Sequence, residues 1–76
     1  MSSDRYEFSR SARRHRIGKG RALSVIHGTK PQELGNGQRL WVGHDDRGME
    51  LEIIAVERPD CWLVIHVMPM QYRRRR

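Results

Sequence analysis

Histidine and arginine are the residues of this sequence best suited to proton transfer and phosphate binding. His15 lies in the basic run 13–16, His66 in an apolar segment, and Arg47 in the turn sequence 45–48. Imidazole exchanges protons near neutral pH, and an arginine on a turn can hold a phosphate or stabilise charge that develops on it. Two other interpretations stay open, in which His66 is a structural strand histidine and His15 is simply exposed.

The sequence does not indicate a metal site or a cysteine nucleophile. No two histidines form a metal-ligand spacing, and Cys61 is the only cysteine. A lone cysteine in an apolar segment is typical of a small buried hydrophobe, and it cannot form a disulfide within the chain. We therefore expect no metal and no cofactor. Low cysteine content in so small a chain is also typical of the reducing cytoplasm.

The basic residues predict the kind of partner. Lys and Arg total 15 against 9 acidic residues, so the formal net charge is +6. Guanidinium groups bind phosphate bidentately and stack on bases, and each neutralised phosphate releases counterions. We expect RNA or another polyanion, contacted by a basic segment near each end of the chain. The candidate nucleic-acid-binding residues are Arg13, Arg14, Arg16, Lys19, Arg21 and Arg74.

Acidic residues cluster around the turn that holds Arg47. Aspartate favours turns, and carboxylates on a strand pair with cations on the neighbouring strand. We interpret this cluster as turn chemistry with cross-strand pairing to Arg39 or Arg47. Its members are Asp45, Asp46, Glu50 and Glu52.

Apolar spacing predicts a helix over residues 19–27. Ala22, Val25 and Ile26 fall on one stripe of that helix, and Gly28 is placed to end it. A second, short helix is expected over residues 9–15, with Ser9 as its N-cap. Residues 29–38 have the composition of a loop, with room for a short edge strand.

Alternation and turn residues predict a β-meander in the second half of the chain. Its strands are expected over residues 39–44, 49–57 and 61–68. A three-residue turn at 58–60 would align two apolar sets on a core face covered by the helix. An even-numbered turn would place Glu52 among apolar neighbours instead. With the odd turn, the opposite face carries Glu50, Glu52, Trp62 and His66.

The expected fold class is α+β, with one or two short N-terminal helices packed on an antiparallel three- to four-stranded β-meander. We divide the chain into a polar N-terminal segment (1–11), a single domain (12–70) and a basic tail (71–76). No segment has the roughly 20 apolar residues that span a bilayer, so no membrane association is expected. The open edge of such a sheet is compatible with a homo- or hetero-oligomer.

Four motifs follow one another in an order typical of a known superfamily. They read ARRHRIG over 12–18, LWVGHDDRG over 40–48, LEIIAV over 51–56 and VIHVMP over 64–69. In this order they resemble the BrnT-like branch of the RelE/ParE toxin superfamily. The resemblance covers about residues 12–73. It departs from the family pattern at Arg16, where a glycine is usual, and in a C-terminal helix that is missing or reduced.

The resemblance implies a RelE-like fold and an endoribonuclease that cuts RNA without a metal, by attack of the 2′-hydroxyl. It also implies a toxin–antitoxin system, with an acidic cognate antitoxin protein as partner. The catalytic candidates carried over are His15, Arg47, His66 and Arg73, with arginines stabilising the phosphorane and a histidine or carboxylate moving protons. The alternative is a non-catalytic basic module that binds nucleic acid or protein, and it is open whether the chain is an enzyme.

Overall fold

A five-stranded sheet with one long helix on its inner face forms the protein. The computed structural model describes residues 5–74, and for residues 73 and 74 the backbone alone. The elements in chain order are β1 (Tyr6–Phe8), a 3₁₀ turn (Ser11–Arg13), α1 (Lys19–Gly28), β2 (Gln32–Gly35), β3 (Gln38–His44), β4 (Glu50–Glu57), β5 (Trp62–Pro69) and α2 (Met70–Arg74).

The sheet is mixed, with strand order β1-β5-β4-β3-β2. Neighbouring strands from β2 to β5 are antiparallel, whereas β1 is parallel to β5, with Tyr6 opposite Trp62. The expected RelE-like arrangement, N-terminal helices on an antiparallel three- to four-stranded meander, is therefore wrong. Parallel strands are not joined by a local turn, so no turn residues mark the pair in the sequence. The three-residue strand inside the segment 1–11 therefore does not indicate which distant strand it joins.

The helices also differ from the expectation. Helix α1 is confirmed and ends one residue later than expected, at Gly28. The expected helix over 9–15 is only the 3₁₀ turn, and Ser9 Oγ, two residues before it, accepts the N–H of Ala12 at 3.2 Å. Arg16, at φ +57°, is left-handed and stops any continuation. Within residues 5–74, no helix is long and apolar enough to cross a membrane.

The core lies between α1 and one face of the sheet, which we call the core face. Ala22 and Val25 of α1 are fully buried, as the apolar stripe predicted. Cys61 is buried as expected, and burial raises the pKa of its thiol. The buried sheet residues that complete the core are Trp41, Leu51, Ile53, Ala55, Trp62, Val64 and Val67.

A β-bulge in β5 overturns the expected register. Glu57 pairs with Trp62 and leaves four residues in the turn, so the preferred three-residue turn is wrong. Ile54 pairs with His66 while Ala55 pairs with Val64, which leaves Ile65 as the extra residue. Alternation shifts by one at that point, and this lets both Val64 and Val67 face the core. Trp62, expected on the opposite face, is buried on the core face as well.

The serine of the 3₁₀ turn fixes the bulge. Ser11 Oγ donates a hydrogen bond to the carbonyl oxygen of Ile65 at 2.8 Å and also lies 2.9 Å from Ser9 Oγ. Because Ile65 has no register partner, this bond occupies a carbonyl that the bulge takes out of the ladder. The segment before α1 is thereby attached to the strand that carries His66.

Gly43 allows the chain after α1 to lie directly on β3. A Cβ atom built on Gly43 would collide with the hydroxyl of Thr29 and stand 3.2 Å from its Cβ. Gly43 is in the middle of β3, so its side-chain position faces the loop that follows the helix. The close approach, and not an unusual backbone angle, is what requires a glycine there.

We expect Gly43→Ala to lower the free energy of unfolding by about 1–3 kcal/mol, because Thr29 must move away from the new methyl group. Urea denaturation of both proteins measures the difference. Gly20→Ala is the matched control, since nothing lies within 4 Å of its Cβ position and alanine favours the helix. Equal stability of Gly43→Ala and the parent would show that the contact is not tight.

Candidate functional site

A depression of about 380 Å³ opens between the β3–β4 turn and the start of α2. Three of its lining residues are half-buried, and we call them its floor: Met49, Glu50 and Met70. Its rim is exposed to solvent, so charged groups there meet a ligand first. The rim residues are His44, Arg47, Gly48 and Gln71.

The β3–β4 pairing positions the two titratable groups of the depression that flank the turn. His44 ends β3 and lies opposite Glu50, which begins β4. Between them the chain reverses over residues 45–48, and Gly48 takes the positive φ of +80° that the reversal needs. The N–H of Gly48 donates to the carbonyl oxygen of Asp45 at 3.0 Å and closes the turn.

The buried side chain of Asp45 stabilises this turn. Its carboxylate, fully buried, accepts the N–H groups of Arg47 and Met49 at 2.8 and 2.9 Å. It also accepts the Nε–H of Arg21 from α1 at 2.7 Å. Burial alone would raise the pKa of Asp45, but the bonds from Met49, Arg21 and Arg47 outweigh it and hold the pKa below the ordinary value of 3.8.

Arg21 joins α1 to the floor of the depression. Besides its ion pair with Asp45, its guanidinium lies 3.2 Å from the sulfur of Met49. The side chain is only 19% exposed. The structure therefore places this nucleic-acid-binding candidate in a structural ion pair. Asp45 was expected to pair with Arg39 or Arg47, and it pairs with Arg21 of α1 instead.

His66 forms a pair with Glu52 on the sheet face opposite α1, which we call the open face. His66 Nε2 lies 3.1 Å from Glu52 Oε1, and the Glu52 side chain is 8% exposed. Neither residue lines the depression, which begins at Glu50, two residues along β4 on the same face. The half-buried apolar neighbours on this face include Leu40, Ile54, Val56, Leu63 and Met68.

His15 lies against α2. Its ring centroid is 5.2 Å from that of Tyr72, at an angle of 30° between the ring planes. Tyr72 follows Met70 and Gln71, which line the depression, so one short helix contacts both places. The side chain of Arg73, another catalytic candidate, lies outside the described part of the chain.

The basic segment before α1 presents its cations to solvent. Arg13, Arg14, Arg16 and Lys19 are all exposed, and Lys19 Nζ stands 5.9 Å from the centre of the Phe8 ring. Exposed cations keep their hydration until a polyanion replaces it, which is the arrangement expected for phosphate contacts. The side chain of Arg74 falls outside the described residues.

The structure brings only part of the expected site together. Of the catalytic candidates with described side chains, Arg47 lines the depression, while His66 pairs with Glu52 and His15 packs on Tyr72. Sequence reasoning did not single out His44 or the methionines of the floor. Alternation on both sides of the 45–48 turn was the available signal, because it sets His44 opposite Glu50.

Comparison with known proteins adds no relative. No protein-family model, curated protein or solved structure matches the chain. The resemblance to the toxin superfamily therefore stays a prediction. Among the described residues, no group of three or more His, Cys, Asp and Glu side chains could hold a metal ion.

Proposed function

We propose that the protein is a toxin-like endoribonuclease that cuts RNA without a metal, and that the depression beside the β3–β4 turn is its reaction site. The observation that carries the proposal is the meeting of a histidine and an arginine at one rim. His44 and Arg47 both line the depression, and both are exposed. One can move a proton and the other can stabilise an anion.

The chemistry needs little more than these groups. His44 takes the proton of the 2′-hydroxyl, whose oxygen attacks the neighbouring phosphorus. Arg47 binds the phosphate and balances the charge that develops on the phosphorane. The bond from phosphorus to the 5′-oxygen then breaks, leaving a 2′,3′-cyclic phosphate, and solvent at the open rim protonates the departing oxygen.

Other candidates have supporting parts in this proposal. Arg13, Arg14 and Arg16 contact phosphates along the RNA, because all three are exposed to solvent. His66, which pairs with Glu52, contacts the RNA further along the open face. An acidic protein is the partner proposed to neutralise the net charge of +6, and the cytoplasm is the proposed location.

The test is RNA cleavage by the purified protein in excess EDTA. We expect a structured messenger RNA to be cut to fragments that end in 2′,3′-cyclic phosphate, and expression of the protein to arrest growth. His44→Ala should abolish both, whereas His27→Ala, a histidine exposed at the end of α1, should change neither. Intact RNA after prolonged incubation would contradict the proposal.

A non-catalytic RNA-binding module is the second candidate. It is favoured by the position of His66 and His15, neither of which lines the depression that holds Arg47. Such a module would bind RNA with a steep dependence on salt and leave the strand intact. Electrophoresis of the bound RNA after dissociation separates the two candidates, because only the enzyme shortens the strand.

A further inference from the structure

Tyr72 differs from the other aromatic residues of the protein in its exposure. Trp41 and Trp62 are buried in the core, and Tyr6 and Phe8 are half-buried against it. The side chain of Tyr72, in the short helix α2, is 45% exposed. A large ring that stays in water is accessible to a ligand, whereas the other four rings are used by the fold.

The fold brings His15 against this ring from a distant part of the chain. Their ring centroids lie 5.2 Å apart, with 30° between the planes, which is within the range of offset stacking. His15 is half-buried and Tyr72 is exposed. The histidine therefore covers the tyrosine from the protein side, and the two rings form the beginning of a stack that a third flat ring can extend.

The residues beside His15 in the sequence are cationic. Arg13, Arg14 and Arg16 are all exposed to solvent. Proteins that bind single-stranded nucleic acid combine cations that follow the phosphates with aromatic side chains on which bases stack. A basic run alone would bind any polyanion, but an exposed ring beside it gives a contact that only a strand with accessible bases can make.

We propose that Tyr72, backed by His15, is a stacking platform for an unpaired base of RNA. The base lies on Tyr72, and the phosphates that flank it contact Arg13, Arg14 and Arg16. A base inside a duplex is already stacked between its neighbours, so the platform selects single-stranded RNA. Every base has a flat face, so the platform tolerates any sequence.

The platform lies beside the proposed reaction site. Met70 and Gln71 line the depression, and Tyr72 follows them directly in α2. A strand whose base stacks on Tyr72 is thus held next to the depression. The inference rests on the proposed function for its RNA ligand, but stacking of a base does not require cleavage.

The experiment measures binding of strands that cannot be cut, with and without bases. The probes are 2′-O-methyl oligoadenylate, whose blocked 2′-oxygens cannot attack phosphorus, and a sugar–phosphate chain of the same length without bases. We expect Tyr72→Ala to weaken binding of oligoadenylate about tenfold, because one stacked base is lost. Binding of the chain without bases should not change. Fluorescence anisotropy of labelled probes measures both affinities.

Leu34→Ala is the matched control, because Leu34 is an apolar side chain of similar exposure, 43%, on the distant strand β2. It should leave both affinities unchanged. Tyr72→Phe keeps the ring and should bind as the parent does. Arg14→Ala removes only charge, so it should weaken both probes by the same factor and reduce the slope of log affinity against log salt by about 0.7.

Two results would overturn the inference. Tyr72→Ala could weaken both probes equally, which would mean that Tyr72 only supports the local fold, or it could weaken neither. If Tyr72→Ala is less stable than the parent, cross-linking to the parent protein decides the same point. On irradiation, 5-iodouridine in a 2′-O-methyl strand should cross-link to Tyr72, as mass spectrometry detects. Cross-links confined to other residues would overturn the inference as well.

The outcomes also separate this inference from the proposed function. Cleavage in EDTA together with equal losses for the two probes would support the enzyme and overturn the platform. A loss in Tyr72→Ala that is confined to the probe with bases, without any cleavage, would support the platform on a binding module and overturn the enzyme.

Discussion

Replacing Asp45 with alanine is expected to remove most of the protein's stability at room temperature. The change removes one buried carboxylate that accepts three hydrogen bonds, and it leaves Arg21 without its partner. Breaking a buried pair from one side lowers the free energy of unfolding by about 3 kcal/mol. A domain of this size has only about 3–5 kcal/mol in total. Circular dichroism during urea titration measures the loss.

Asp46→Ala is the control for this change, because Asp46 is the exposed neighbour in the same turn. It should alter stability by less than about 0.5 kcal/mol. Asp45→Asn should lie between the two, since an amide oxygen still accepts backbone N–H groups but carries no charge to face Arg21. Equal stability of Asp45→Ala and Asp46→Ala would mean that the hydrogen bonds to the Asp45 carboxylate contribute nothing to stability.

Acid should reproduce part of this effect in the unmodified protein. The pKa of Asp45 is lower in the folded chain than its ordinary value of 3.8, so the folded state binds the proton less readily than the unfolded state. The stabilisation is therefore complete above that value and is lost as the pH falls through the lowered pKa of the folded protein. The stability of Asp45→Asn should vary less over the same pH range.

Arg47→Ala should lower the rate of RNA cleavage by about 100-fold or more. Removal of a single donor to the charge that develops in the transition state costs about this much. The loss should appear mainly in kcat, because the exposed basic segment before α1 still binds RNA. Single-turnover cleavage in EDTA, with protein in excess over RNA, measures the chemical step directly.

Arg58→Ala provides the comparison, since it removes the same charge from an exposed turn between β4 and β5. It should cut RNA at nearly the parent rate. Arg47→Lys should recover only a fraction of the activity, because an ammonium group cannot bind phosphate bidentately. Full activity of Arg47→Ala would place the reaction elsewhere on the protein.

Local patterns in the sequence were sufficient to predict the elements that are formed by residues close together in the chain. Apolar spacing with Gly28 beyond it predicted α1, and alternation around Gly48 predicted the β3–β4 hairpin. The pairing of β1 with β5 could not be predicted in this way, because Tyr6 and Trp62 are distant in the chain and a parallel pair has no turn residues. Tertiary packing alone reveals it.

The candidate site was predictable to a similar extent. Turn chemistry identified Arg47, and the hairpin register would have added His44 opposite Glu50. Nothing in the sequence indicated that Asp45 would receive Arg21 from α1, because that contact depends on how the helix crosses the sheet. The bulge at Ile65 could not be predicted either. It changes which side chains face the core, but no residue type in β5 marks its position.

The parallel pairing of β1 with β5 has a consequence for synthesis on the ribosome. β1 is made first, yet its hydrogen-bonding partner is among the last strands to appear, with Phe8 waiting for Val64. The helix and the β3–β4 hairpin can form before the sheet closes, because their contacts are local. Tyr6 and Phe8 have no strand to join until β5 has emerged. Closure of the sheet is therefore a late event, and the N-terminal strand stays available to chaperones until then.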